Sequence, residues 1–356
     1  MQRLLLLSLL LVALVGCKDE PSGPSGQGFD RGQMLAYYAD NHIQPAYDSL
    51  SLAAQELHSR LLGLATQPQS GELTELRAAW LSLYLRWQSA SIYNVGPAAE
   101  QGLRKRLAEE LGTFPVSEAK IEQYLSAGDT SFANFDRDSR GLFAIEYLLY
   151  KGTSTEVLAR LAQTPVRNYL MALSNRFKSE SQRVANEWRP YRAEFVGSTG
   201  TSAGSSTVQL YNEFLLSFEG LKNFKLGLPL GLRMGQNQAE PQKVEALYSG
   251  ASLAGIARQW QALEAFWRGN GSTGFKAYLL ASAGGNELVN RTEQQLLVIN
   301  ARLAACGTGR LDSLITTNPQ PAIELHTELQ RNTRFFKSDL SSLLGLTITY
   351  SSGDGD

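Results

Sequence analysis

Cysteine is nearly absent from this chain: its 356 residues hold two, Cys17 and Cys306. Only Cys306 lies in the body, so no intrachain disulfide holds the body together, and stability must come from core burial. No histidine stands near Cys306 in sequence, which leaves it as a buried, inert thiol. Histidine is also scarce, with three in all, His42, His58 and His326. None forms the His-Glu-x-x-His array of a zinc-protease helix, and each is expected in a surface or hydrogen-bonded structural role. There is no phosphate-cradling loop, no Cys-x-x-Cys and no oxygen-rich calcium loop. The acidic end, Gly353 to Asp356, supplies too few fixed oxygens for calcium, and 351–356 is expected to be a disordered tail. Thirty-three Lys and Arg balance 34 Asp and Glu; with no basic stripe, nucleic acid is not an expected partner. No apolar run reaches the roughly 20 residues that span a bilayer as a helix.

The longest such run, Leu4–Val15, is interrupted only by Ser8 and follows the positive start Met1-Gln2-Arg3. That pattern fits a signal peptide over residues 1–16. Leu14-Val15-Gly16-Cys17 resembles the bacterial lipobox, which makes Cys17 the expected lipidation site; the alternative is an ordinary secretory signal beside an incidental cysteine. Lys18-Asp19-Glu20 either begins a solvated linker or resembles the surface-export signal of Bacteroidetes lipoproteins. Residues 17–32 are rich in Pro, Ser and Gly and read as a flexible tether. The expected location is therefore the outer membrane, on its cell-surface or periplasmic face, with the lipid on Cys17 as the membrane contact.

Some 325 residues remain, more than a single core usually holds, so two domains are expected. Apolar residues recur at three- and four-residue spacing through Leu35–Leu50, Leu73–Trp87, Arg140–Tyr150 and 165–187, with further helices at 208–223, 242–248, 252–269, 286–306 and 319–343. The expected fold class is all-α, in two helical domains, 33–196 and 208–350, with the Gly/Ser/Thr segment 197–207 between them as a linker or a long loop. Leu346–Tyr350 alternates, and either pairs as a short edge strand or simply extends. Trp80 and Trp87 are seven apart, as are Trp260 and Trp267. The echo is compatible with an internal duplication and equally with two independent helices that each bury two indoles.

The segment that bears most on chemistry is Arg140-Gly141-Leu142-Phe143-Ala144-Ile145-Glu146-Tyr147. Glu146 sits on a helix with almost no polar face, and a carboxylate there is costly to bury unless paired, hydrogen-bonded or bound to a cation. The plain alternatives are a surface position or a structural partner such as Arg140 or Arg86. In the second half, Glu219, Lys222 and Lys225 share a face at three-residue steps. They either complement Glu146 across a groove or form an ordinary solvated ion pair. Phe218, Leu221 and Phe224 make the adjacent apolar face.

This segment resembles the imelysin family, whose signature is Gly-x-His-x-x-Glu followed by apolar residues. Gly141 and Glu146 match, and Phe143 stands at the histidine position. Asn41–Tyr47, Trp80 to Gly96-Pro97, Phe218–Pro229, Val244–Ser249 and Leu344–Thr349 extend the similarity, in order, over most of residues 30–350. The resemblance implies an all-helical envelope protein of two helical-bundle domains, associated with iron acquisition. Its site is expected in a groove between the domains, built from His42, Arg140, Gly141, Phe143, Glu146, Glu219, Lys222, Lys225 and Glu245. Glu146 is the candidate metal ligand, for iron or another divalent ion. Phenylalanine neither ligates nor transfers protons, and a zinc hydrolase needs about three protein ligands. The expected function is therefore non-catalytic binding of a metal ion, an iron complex or an envelope protein. A metallopeptidase in which His42 substitutes as ligand, or a surface scaffold, is the alternative.

Overall fold

The computed structural model describes residues 28–102 and 104–349. The signal peptide, Cys17, most of the tether and the tail 351–356 lie outside these residues. Among the described residues the regular structure is entirely helical; one isolated bridge joins Gln101 and Arg104. The fold is all-α.

The first half holds α1 (Arg31–Tyr38), α2 (Gln44–Leu62), α3 (Ser70–Ala90), α4 (Leu107–Leu111), α5 (Glu118–Ala127), α6 (Leu142–Tyr150), α7 (Ser154–Leu161) and α8 (Thr164–Gly197). Helix α1 starts inside the segment read as tether. Asp30 caps it by accepting from the Gln33 amide at 2.9 Å, and Phe29 stacks on Tyr278 with ring centroids 4.9 Å apart. A wider-wound π stretch, Ala39–Ile43, leads from α1 into α2. The Ser117 hydroxyl caps α5. Helix α8 runs ten residues past the end expected at 187, through Pro190. Proline costs a helix one N–H and crowds the preceding turn. Here Trp188 and Phe195 are buried and hold the last turns onto the core. The Arg189 guanidinium also donates to the Ala185 carbonyl at 3.3 Å.

The second half holds α9 (Ser206–Gly220), α10 (Leu228–Leu230), α11 (Ser252–Arg268), α12 (Phe275–Leu280), α13 (Gly285–Ala305), α14 (Leu311–Thr317), α15 (Gln320–Thr333) and α16 (Ser341–Leu344). The Gly/Ser/Thr segment shortens to a loop between Gly197 and Ser206. It is fastened where Arg31 donates to the Thr199 carbonyl at 2.6 Å and Ser206 N–H to Ser198 at 3.0 Å. Further π stretches follow α9 (Leu221–Gly227) and α15 (Arg334–Leu340). Leu346–Thr349 extends without pairing as a strand, tied to α9 by Asn212, which donates to the Thr347 carbonyl and accepts from Thr349 N–H.

One expected helix does not form. Residues 242–248 make a short 3-10 turn, Pro241–Lys243, followed by irregular turns in which Ala246 adopts a φ of 54°. Left-handed backbone is rare for alanine and ends any regular helix there. The apolar spacing of Val244, Leu247 and Tyr248 suggested a helix, but these residues dock an irregular segment instead.

The halves meet where α3 packs on α11, the two helices that carry the paired tryptophans. Trp80, Trp260 and Trp267 are buried, and so is Trp87. The approach is close: a Cβ on Gly255 of α11 would lie 1.8 Å from the Tyr84 hydroxyl of α3. Only glycine fits there.

Candidate functional site

Glu146 projects from α6, whose start depends on Gly141. The chain turns there with a φ of 81°, and a Cβ would lie 2.4 Å from the Leu111 carbonyl oxygen. Both conditions require glycine, and they begin the helix at Leu142 rather than at Arg140. The Trp80 indole fixes the first turn by donating to the Leu142 carbonyl at 2.9 Å. Phe143 is buried, with its ring against Tyr84 and Phe114 at centroid distances of 6.0 and 5.6 Å. It fills an aromatic wall.

One turn further on, Glu146 is 1 % exposed. Neither Arg140 nor Arg86 serves it. Its Oε1 accepts from the Ser249 amide and the Ser249 hydroxyl, both at 2.7 Å. Burial pushes its carboxyl up to about 7, with the two Ser249 bonds opposing and the neighbouring Glu245 charge adding to the rise. Arg140 is buried elsewhere, against Glu110 at 2.9 Å and the carbonyls of Phe132 and Asn134.

The irregular segment after Lys243 presents two groups in different directions. Ser249 reaches Glu146, while Glu245 reaches Lys225 at 2.8 Å and accepts from the Tyr84 hydroxyl at 2.9 Å. Gln88 joins both partners: its amide N–H group faces Glu245 at 3.4 Å, and its carbonyl accepts from Lys225. Lys225 and Glu245 are both buried, and desolvation lowers the lysine's pKa against the opposing pull of Glu245. Lys225 comes from the π stretch after α9, where the wider winding sets its direction. The face of Glu219, Lys222 and Lys225 is buried rather than solvated. Glu219 lies 3.3 Å from Lys337, and Lys222 donates to the Thr333 hydroxyl at 3.2 Å. Phe224, expected in the core, is 43 % exposed and carries the Arg233 guanidinium 4.2 Å over its ring.

Two cavities flank the network. The larger, about 480 Å³, is bordered by Trp87, Phe114, Phe224, Arg106, Glu213, Glu219, Lys225 and Glu245. In it Arg106 pairs with Glu213, whose carboxyl burial pushes up to about 7 despite that partner. The smaller, about 260 Å³, is bordered by Phe114, Phe143, Glu146 and Lys243. Phe114 is a wall of both.

His42 does not reach Glu146. Its ring nitrogens lie 3.2 Å from the hydroxyls of Tyr93 and Tyr37, in a separate cavity, and burial lowers its pKa to about 4. His58 bonds to Ser174 at 2.9 Å. His326 is likewise lowered to about 4, mainly by burial and further by Lys222. Cys306 is buried, its thiol pushed up to about 11 and donating to the Arg302 carbonyl. Among the described residues no group of three His, Cys, Asp or Glu side chains is placed to hold a metal ion. The donors nearest Glu146 do not fit one either. The histidine position carries a phenyl ring, and Glu245 is already matched by an ammonium group.

Thus the structure brings together Gly141, Phe143, Glu146, Lys225 and Glu245. Glu219 joins through the larger cavity, and His42, Arg140 and Lys222 stand apart. Ser249, Gln88 and Gly255 were missed, because serine, glutamine and glycine carry no spacing signal of their own.

A family model described as Imelysin matches residues 43–333. Iron-regulated protein A of Synechococcus elongatus is 23% identical over 289 residues, covering 78% of this chain and 73% of that protein. Among solved structures, an imelysin-like protein from Psychrobacter arcticum superposes with a TM-score of 0.73 at 21% identity, covering 90% of this chain and 97% of that one. A putative iron-regulated protein A precursor from Parabacteroides distasonis gives 0.67 at 17% identity, covering 88% and 98%.

Proposed function

The chain belongs to the imelysin family, and from that premise we propose that it is a non-catalytic envelope lipoprotein that binds an iron complex in the cavity beside Glu245. The observation that carries this reading is the Lys225–Glu245 pair. The network's cation is a lysine, so the buried carboxylates form a finished polar wall rather than an open ligand set. The printed names of two relatives support the link to iron. Aromatic walls at Trp87 and Phe114, with the ion pair Arg106–Glu213, suit a ligand that brings its own coordination shell. A lipid on Cys17 would hold this body at the outer membrane.

Trp87 borders the cavity, so indole fluorescence reports its occupation. Haem and a ferric hydroxamate complex are the probes, with iron(II) and zinc salts as bare-ion controls. Saturable quenching by a complex and none by the bare ions is the expected result, and Trp87→Phe should remove most of that signal. Stoichiometric binding of a bare ion, reversed by a chelator, would overturn the reading. So would silence with every probe. Chelator-sensitive peptide cleavage abolished by Glu146→Gln would restore the peptidase alternative.

A further inference from the structure

A third cavity, of about 320 Å³, opens on another part of the α3–α11 contact, at the end of the π stretch that carries His42. Its charged lining groups are Arg86 from α3 and Arg258 from α11, and among the described residues no Asp or Glu borders it. Among the described residues Arg86 makes no hydrogen bond or ion pair. Arg258 spends only its Nε, donating to the Ser89 hydroxyl at 2.8 Å, which orients the guanidinium and leaves its two terminal amino groups uncommitted. The Ser49 hydroxyl and the Gln261 amide add further donors. His42 is uncharged near neutral pH and locked between two tyrosines, so it neither cancels nor adds charge. Two like charges converging on one concave site without a counter-charge repel each other and focus a positive potential into it. The free ends of a guanidinium form a fork that matches carboxylate and phosphate oxygens.

We infer that this cavity is a binding site for a small multicharged oxyanion, held between Arg86 of α3 and Arg258 of α11. The site is distinct from the Glu146 network and does not depend on the function proposed for it. Its position has a mechanical consequence: an anion held by both arginines ties the two halves of the molecule at their main contact.

Calorimetric titration of the full chain at low ionic strength, with potassium phosphate and separately with iron-free citrate, tests the inference. Saturable binding is expected, in the range of about 1 mM or tighter, as suits partly solvated charge contacts. A response to phosphate alone identifies a phosphate-bearing ligand, and a response to citrate alone a polycarboxylate; either supports the site. Arg86→Gln and Arg258→Gln should each weaken binding at least about fivefold, and the double variant should abolish it. Glu146→Gln should leave it unchanged. Arg86 is exposed, so its variant has no core to disturb, and circular dichroism confirms the fold. No binding of either anion up to about 10 mM would overturn the inference, as would undiminished binding in the double variant.

Discussion

At the scale of single residues, buried charge dominates. Lys225 and Glu245 are each less than a tenth exposed, and breaking such a pair leaves one charge stranded. Lys225→Met should therefore cost about 3 kcal/mol or more in urea unfolding, while Lys225→Met with Glu245→Met together should recover much of that loss. If the double variant is no more stable than the single, the two charges are not coupled as described. Glu146 gives a pH signature. Its folded value of about 7 lies above the ordinary carboxyl value of 4.5. Between those values the native state holds more proton than the unfolded chain. Stability from this group is thus complete below about pH 4.5 and lost as pH rises through about 7, by about 3 kcal/mol at most. Glu146→Gln should flatten the fall of melting temperature across that window. A residual slope of the same sign is expected from Glu213. An unchanged profile would show that Glu146 is ionised in the folded protein at all these pH values.

At the scale of elements, the helix crossing of α3 and α11 sets the site. Gly255 lets the backbone of α11 approach the Tyr84 hydroxyl, and that hydroxyl holds Glu245. Gly255→Ala should push the helices apart or rotate Tyr84, costing about 2 kcal/mol and loosening the Glu245 network; proton exchange of the Tyr84 hydroxyl by NMR would report the second effect. An alanine variant with wild-type stability and an unaltered Tyr84 signal would refute this account. The same scale shows what was legible in the sequence. Apolar spacing located most helices to within a few residues, because their buried faces repeat with the helical period. It ended α8 too early, because Pro190 is a local signal and the burial of Trp188 and Phe195 is not. It made a helix of 242–248, because nothing in the side chains announces a left-handed alanine. The π stretches left no pattern either, yet one of them aims Lys225.

At the scale of the whole molecule, apolar spacing and the family resemblance agreed on the all-α fold, but neither could bring residue 146 beside residue 249. Composition could not show that the Glu219–Lys225 face is interior, since that depends on what covers it. Beyond the body, the Leu-x-Gly-Cys pattern leads to a prediction for the living cell. The Cys17→Ser variant should leave the membrane fraction and appear soluble, and intact-mass analysis of the native protein should show acyl chains on Cys17. An unmodified cysteine in the membrane fraction would refute lipid anchoring.

The lysine at the centre of the site has one further consequence. A fold whose buried carboxylate needs a metal can assemble only where that metal is plentiful. Here the counter-ion is covalently part of the chain and arrives with it at synthesis. The pair is thus complete as soon as the chain folds, and the wall of the cavity beside it is shaped by the chain alone.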